Sequence, residues 1–255
     1  MPLYQAIILG AVQGLTEIFP ISSSGHLIIF PELLGWQPHS LSFDAALHLG
    51  TAFALLWWFD KAWINLFKTR SWRMVAFILL ASVPAGLVGI FGRDFIEEYL
   101  RSPRLVAISL ITVAILMVGI EALYRRERSP KKEASLGDVL LIGFSQAFAL
   151  IPGVSRSGIT ISIGMSKGIK RDRAAHFSFL ISIPIVLAAG LYQLFDVWQA
   201  GELAVQGPNF AAGILTSFVV GLFAIRFLFK ILRKYSLLPF AFYRIALGIF
   251  LLWVL

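Results

Sequence analysis

Apolar runs recur along the whole chain, and their lengths predict helices that cross a membrane. Six runs read as full crossings: about Leu41–Phe59, Met74–Gly92, Leu105–Tyr124, Ala174–Phe195, Phe210–Leu228 and Leu237–Leu255. Each supplies the ~20 apolar residues that span a bilayer as an α-helix. Two further apolar segments, about Leu3–Leu34 and Gly137–Met165, are broken near their middles by Pro and Gly beside polar side chains. The first break runs from Pro20 to Gly25 and the second from Pro152 to Gly158.

The two broken segments echo one another. Shifted by 133 positions, Gly10, Gln13, Ile18, Ser22, Ser24, Gly25, Ile28 and Gly35 fall without a gap on Gly143, Gln146, Ile151, Ser155, Ser157, Gly158, Ile161 and Gly168. Chance matches between apolar runs do not explain a shared Gln, a shared Ser-x-Ser-Gly and two further glycines in one register.

Charge decides how these segments sit. Of the 22 basic residues, 17 fall in four groups: Lys61–Arg73, Arg125–Lys132, Lys167–Arg173 and Arg226–Lys234. None lies in Met1–Asp60 or Asp196–Asn209. Gly137–Met165 has a basic group at each end. It satisfies the positive-inside rule only if it enters from the cytoplasmic side and returns there. By the same rule Leu3–Leu34 enters and returns on the outer face. The expected architecture is an all-α polytopic membrane protein of six transmembrane helices plus two re-entrant helical hairpins. It forms one integral membrane domain, residues 1–255, with repeat one about 1–124 and repeat two about 137–255. The repeats have inverted topology, which places a shared site where the broken helices meet.

Composition narrows the class further. Residues are 58% hydrophobic and 14% charged, against ~25% charged in soluble domains, so no separate soluble domain is expected. The net charge of +8 is a loop topology signal, not a nucleic-acid surface. Cysteine is absent, which excludes disulfides and thiolate metal sites. No basic n-region precedes the first apolar segment, so no cleavable signal peptide is expected.

The polar groups at the two breaks carry the candidate chemistry. Ser-x-Ser-Gly at each tip is followed by a new helix. Serine is a favoured N-cap, and the free N–H groups of a helix start attract phosphate. Ser22, Ser24, Ser155 and Ser157 read as caps and phosphate ligands. Arg156 adds a planar fork suited to phosphate. A buried Arg needs an anionic partner, and Glu17 can serve in the resting state. Gln13 and Glu17, spaced i, i+4, share a helix face. One carboxylate with substrate oxygens is a normal Mg²⁺ site. Ser23 and His26 read as a nucleophile with its base. His48 and His176, lacking partner motifs, read as structural residues, and Arg244 as a side chain that snorkels.

These residues resemble a known family. Gln13-Gly-Leu-Thr-Glu17 is similar to the (Glu/Gln)-x-x-x-Glu motif of the undecaprenyl-diphosphate phosphatases, also called bacitracin-resistance proteins. Pro152-Gly-Val-Ser-Arg-Ser-Gly-Ile-Thr160 is similar to their Pro-Gly-x-Ser-Arg-Ser-x-x-Thr motif. The Ser-Ser-Ser-Gly-His run ending at His26 also fits. The resemblance implies hydrolysis of undecaprenyl diphosphate, a divalent cation (Mg²⁺ or Ca²⁺), recycling of a cell-wall lipid carrier, and a bacterial plasma-membrane site open to the outer side. It implies Glu17 as essential acid, Ser23 as nucleophile, His26 as its partner and Arg156 as phosphate clamp. Ser155, Ser157 and Thr160 would line the phosphate site. Many members carry Glu where this chain has Gln13, so a metal held by Gln13 and Glu17 has one carboxylate here.

Two other readings compete. A carrier that flips a polyprenyl phosphate lipid uses the same inverted architecture. The type-2 phosphatidic acid phosphatases share Ser24-Gly25-His26. Their mechanism needs a His six residues after the Ser-Arg arginine, where this chain has Ser162. The expected partners are the polyprenyl diphosphate lipid and the bilayer, with no nucleic acid; a homodimer stays open.

The charge map makes the first prediction. Single cysteines in this cysteine-free chain at Met1, in the loop Glu32–Ser40 and at Leu255 should be labelled from outside intact cells, and those at Ser129 and Ser236 should not. Labelling of Ser129→Cys but not Leu255→Cys would overturn the topology.

Overall fold

The structure is a computed structural model, in which residues 1–125, 134–201 and 203–254 are described. Arg126, Arg128, Lys131 and Lys132 of the second basic group, and the labelling positions Ser129 and Leu255, lie outside the described residues.

Among the described residues the chain forms twelve α-helices and no strand. In order these are α1 Leu3–Ile18, α2 Ser23–Leu33, α3 Leu41–Trp58, α4 Asp60–Lys68, α5 Trp72–Phe91 and α6 Arg93–Tyr99. Then follow α7 Pro103–Tyr124, α8 Leu136–Phe148, α9 Arg156–Ser166, α10 Arg171–Gln199, α11 Leu203–Leu232 and α12 Leu238–Val254. Helix starts follow capping chemistry. Ser40 accepts from the Phe43 N–H, and Ser102 precedes Pro103 and accepts from Leu105. Ser135 and Asp138 form a reciprocal capping box at the start of α8.

Among the described residues four helical stretches are long and apolar enough to cross a bilayer: α5, α7, α10 and Gln206–Leu232 of α11. The other two expected crossings are α3, which carries Asp44 and His48 in its apolar run, and α12, which has 17 residues. Both expected hairpins are helical pairs: α1 with α2, and α8 with α9. Large apolar side chains face outward on the long helices, among them Ile90, Phe91, Ile115, Phe223 and Trp253. In water such a surface would aggregate; in lipid it is the solvated face. The chain is a multi-pass membrane protein.

Helix pairing follows a regular exchange. α1 packs on α11, and α8 packs on α5; α3 meets α10 and α11, α5 meets α10, and α7 lies against α12. Exchanging α1, α3, α5 and α7 with α8, α10, α11 and α12 reproduces these pairings. One shared glycine pair, Gly10 and Gly143, sits at equivalent crossings. A Cβ on Gly10 would lie 2.5 Å from the Gly213 carbonyl oxygen, and one on Gly143 would lie 2.5 Å from Ala81 Cα. Small residues that let backbones approach are the usual currency of helix association in lipid.

Away from the two breaks, buried ions tie the described helices together around Glu121 and Asp44. Glu121 of α7, only 1% exposed, accepts from Arg171 Nη2 and from the Leu237 N–H at 3.2 Å. Arg171 belongs to a basic group read as a topology signal; here it also joins α10 to α7. Asp44 of α3 accepts from Arg101 Nη2 at 3.0 Å and pairs with His39 Nε2 at 2.5 Å. That cluster fastens the α2–α3 connection and the segment before α7 to one end of α3.

Gly50 of α3 crosses α11 so closely that a Cβ there would sit 2.3 Å from the Ile214 carbonyl oxygen. Gly50→Ala should destabilise the protein by about 1–3 kcal/mol, the usual cost of overpacking. Thermal unfolding in detergent should show a lowered Tm, whereas Gly119→Ala, with open space around it, should leave the Tm unchanged.

Candidate active site

The site is built on the two breaks. Ser22 and Ser155 cap α2 and α9 with φ of 76° and 69°, a region that non-glycine residues rarely occupy. Ser22 Oγ accepts from the Gly25 N–H at 3.3 Å, and Ser155 Oγ accepts from the Gly158 N–H at 3.2 Å. At each tip the cap oxygen lies 3.4 Å from the next serine but one, Ser24 or Ser157. The repeated Ser-x-Ser-Gly is therefore one capping device used twice. Ser22 Oγ also accepts from the Gly153 N–H at 3.1 Å, which joins the two tips directly. Both lone pairs of Ser22 are thus engaged with backbone, and its part in the site is to hold the tips.

Arg244 of α12 completes the junction. It is fully buried, 0% exposed. Its Nε donates to the Leu110 carbonyl and Nη1 to the Pro20 carbonyl, both at 3.3 Å. Nη2 donates to the carbonyls of Gly153 at 2.8 Å and Val154 at 3.1 Å. The expectation that Arg244 snorkels is wrong. A snorkelling side chain reaches out to water, whereas this one turns inward to α7 and to three tip carbonyls, Pro20, Gly153 and Val154, that the helix breaks leave without helical partners. A short sequence window carries no signal of those carbonyls.

Glu17, at the end of α1 and 7% exposed, is the centre of the polar cluster. Arg156 Nη2 donates to its Oε1, and the Ser23 hydroxyl donates to its Oε2. Gln13 Nε2 approaches Oε2 at 3.4 Å. The expected pair of Glu17 and Arg156 forms between the two broken segments. His48 Nε2 lies 3.3 Å from Glu17 Oε2, so the histidine read from the sequence as structural sits against the carboxylate of the cluster. Its signal in the sequence was a lone imidazole in an apolar helix, and only the packing of α3 beside α1 brings it to the carboxylate.

His26 is placed differently from its expected role beside Ser23. α2 begins at Ser23, so His26 sits four residues beyond the cap and folds back onto it. Its Nδ1–H donates to the Ser22 carbonyl at 2.7 Å, and Nε2 accepts from the Tyr243 hydroxyl at 2.8 Å. The side chain bonded to Ser23 is Glu17. Thr160 and Ser157 are also engaged: Thr160 donates to the Arg156 carbonyl at 2.7 Å, and Ser157 lies 3.4 Å from the Glu17 and Phe19 carbonyls. Ser24 is half-buried beside the first tip.

Two buried atoms in the cluster have no protein partner: Arg156 Nη1, a donor, and Gln13 Oε1, an acceptor. Buried polar atoms are nearly always paired, and a bare one needs an explanation. A bare cationic donor suits a phosphate oxygen, and a bare amide oxygen beside a carboxylate suits a hard cation. Among the described residues no three His, Cys, Asp or Glu side chains cluster as a metal cage. Beside His26 an apolar groove of about 490 Å³ runs between α1, α2 and α12. Leu15, Phe19, Phe30, Phe240 and Tyr243 line it.

The sequence family described as bacitracin resistance protein BacA matches residues 6–250. The chain is 41% identical to undecaprenyl-diphosphatase 2 of Stutzerimonas stutzeri, over 99% of this chain and 98% of that protein. It is 43% identical to the undecaprenyl-diphosphatase of Thermodesulfovibrio yellowstonii, over 98% and 97% respectively. With the undecaprenyl-diphosphatase of Pelobacter propionicus the identity is 44%, over 97% and 95%.

Arg244→Met keeps an unbranched side chain in place and removes every donor. Orphaned buried carbonyls cost about 1–3 kcal/mol each, so this variant should show a large fall in Tm in detergent. Arg244→Lys, with a single ammonium, should recover only part of that loss. A wild-type Tm for Arg244→Met would show that the tips hold together without it.

Proposed function

The chain belongs to the family of the bacitracin resistance protein BacA, and on that premise we propose that it hydrolyses undecaprenyl diphosphate. The products are undecaprenyl phosphate and inorganic phosphate. The reaction returns the lipid carrier to peptidoglycan synthesis and so lowers sensitivity to bacitracin, in a bacterial plasma membrane. The inverted repeat, with both hairpins re-entrant and the site open to the outer side, is part of this reading. The exchange symmetry of the helix pairings and the cross-repeat pair of Glu17 and Arg156 support it.

The bonding of Glu17 is the observation that carries the chemistry. Its carboxylate accepts the Ser23 hydroxyl on one oxygen and the Arg156 guanidinium on the other. Ser23 Oγ attacks the terminal phosphorus while Glu17 takes its proton. The bond to the bridging oxygen breaks, and undecaprenyl phosphate leaves. Water then attacks the phosphoserine, and Ser23 Oγ departs with the proton held by Glu17. Arg156 keeps Nη2 on Glu17 and offers Nη1 to a phosphate oxygen. The N–H groups at the starts of α2 and α9 add positive potential where charge redistributes in the transfer. His26 and Tyr243, at the end of the apolar groove, flank the place where lipid meets diphosphate. Gln13 Oε1 and Glu17 fit a hard divalent cation, Mg²⁺ or Ca²⁺, which would neutralise diphosphate charge. Nothing in the cluster specifically favours the carrier reading, which has no use for a serine hydroxyl bonded to a carboxylate.

Phosphate release from undecaprenyl diphosphate by the purified protein tests the proposal, with and without a chelator. Glu17→Gln should lower kcat by about 10²–10⁴-fold, the range for a lost general base. Ser23→Ala should abolish turnover. Arg156→Lys should lose most activity, because an ammonium cannot serve Glu17 and phosphate with one planar fork. If Ser23→Ala keeps most of its kcat and only KM rises, water is the nucleophile and Ser23 a ligand.

A further inference from the structure

His48 lies outside the motifs that carry the family resemblance, yet it touches the carboxylate at the centre of the site. Its position is built from several contacts. The ring meets two acceptors, the Asp44 carbonyl one turn earlier at 2.7 Å from Nδ1 and Glu17 Oε2 at 3.3 Å from Nε2, so it donates to both as an imidazolium and is fixed between them. The helix that carries it is itself pinned. Ser217 of α11 donates to the Leu47 carbonyl at 2.8 Å, next to His48, and Gly50 seats α3 against Ile214 of α11. α1 rests on the same helix: Cβ atoms on Gly10 and Gly14 would lie 2.5 Å from Gly213 O and 2.7 Å from Ser217 O. The bearers of His48 and Glu17 are therefore both clamped to one stretch of α11, around residues 213–217.

We propose that His48 is a positioning residue for the reaction: it holds Glu17 Oε2 on the Ser23 hydroxyl. This inference rests on the reading of Glu17 as the acceptor of the Ser23 proton. Arg156 fixes only Oε1. The other fixed contact to Oε2 in reach is Gln13 Nε2, at a long 3.4 Å. A carboxylate held at one oxygen can still turn about its terminal torsion, which is a soft sp³–sp² rotation. With His48 on Oε2 and Arg156 on Oε1, both oxygens are fixed by helices from different parts of the bundle. The serine hydroxyl then meets an acceptor already in place, and orientation of this kind is worth much of a reaction barrier. His48 touches neither the reacting phosphorus nor the attacking oxygen in this arrangement, so its removal should act on kcat and leave the phosphate clamp alone.

The test compares apolar and hydrogen-bonding replacements in the full-length protein with undecaprenyl diphosphate as substrate. His48→Leu and His48→Met fill the space without a donor. His48→Gln places an amide nitrogen close to the position of Nε2. Each variant is assayed as monodisperse protein, with its Tm in detergent measured alongside. kcat should fall about tenfold to a hundredfold in the Leu and Met variants, the range for a misplaced reacting group. KM should stay within a factor of about two, as for an interaction that acts on the chemical step alone. His48→Gln should recover most of kcat. Wild-type kcat in either apolar variant, equal losses in Gln and Leu, or a loss expressed in KM would each overturn the assignment. Wild-type turnover and its disappearance in Ser23→Ala read the phosphatase proposal in the same assay. A failure there is thereby distinguished from a failure of the contrast between Gln and Leu.

Discussion

Breaking two helices inside an apolar bundle leaves backbone carbonyls with no helical partner and no bulk water, and the structure depends on meeting that debt. Arg244 does so at three carbonyls, Pro20 in the first tip and Gly153 and Val154 in the second, and it also donates to the Leu110 carbonyl within α7. A guanidinium is suited to this because its five N–H groups spread in a plane. An arginine without a carboxylate partner is a costly thing to bury. Here the negative ends of several peptide dipoles share the compensation. The tips are also bonded to each other, through Ser22 Oγ and the Gly153 N–H. The junction is therefore a fixed backbone platform, and the side chains above it inherit its precision.

The second organising element is a single buried carboxylate with several donors around it. Glu17 is reached by Arg156 from the second tip, Ser23 from the first tip and His48 from α3. Desolvation opposes its charge, and close cations and hydroxyls offset the penalty. Such a group is expensive to maintain for stability alone, since a well-packed apolar cluster does as well or better. Its value is preorganisation. The donors hold the carboxylate against the serine hydroxyl, and the unpaired Nη1 of Arg156 waits beside it.

The two halves of the cluster are alike in backbone and unlike in chemistry. Both tips use the same serine cap at positive φ and the same glycine three residues on. Gly10 and Gly143 make equivalent close crossings with α11 and α5. The shift that aligns the repeats places Leu150 opposite Glu17 and Ser23 opposite Arg156. One broken segment thus supplies the carboxylate with its serine, and the other supplies the guanidinium. The shared residues make the platform, and the divergent residues make the site.

The sequence by itself determined the all-helical class, the two broken segments, their internal match, and the residues of the central cluster Gln13, Glu17, Ser23 and Arg156. Those features are local. Run length, capping serines, helix-breaking Pro and Gly, and polar groups in an apolar setting are all visible within a window of a few turns. Only the tertiary structure decided which side chain serves which. His26 turns back to its own cap and to Tyr243, because α2 starts at Ser23. His48 and Arg244 looked like isolated polar residues in apolar helices. They acquired roles because α3 packs beside α1 and α12 packs behind both tips. Hydrogen-bond partners more than 90 residues away, as between Arg244 and Gly153 or Pro20, leave no periodic trace in the chain. Their physical cause is the demand of unpaired backbone in a dry interior, and that demand exists only once the helices have packed.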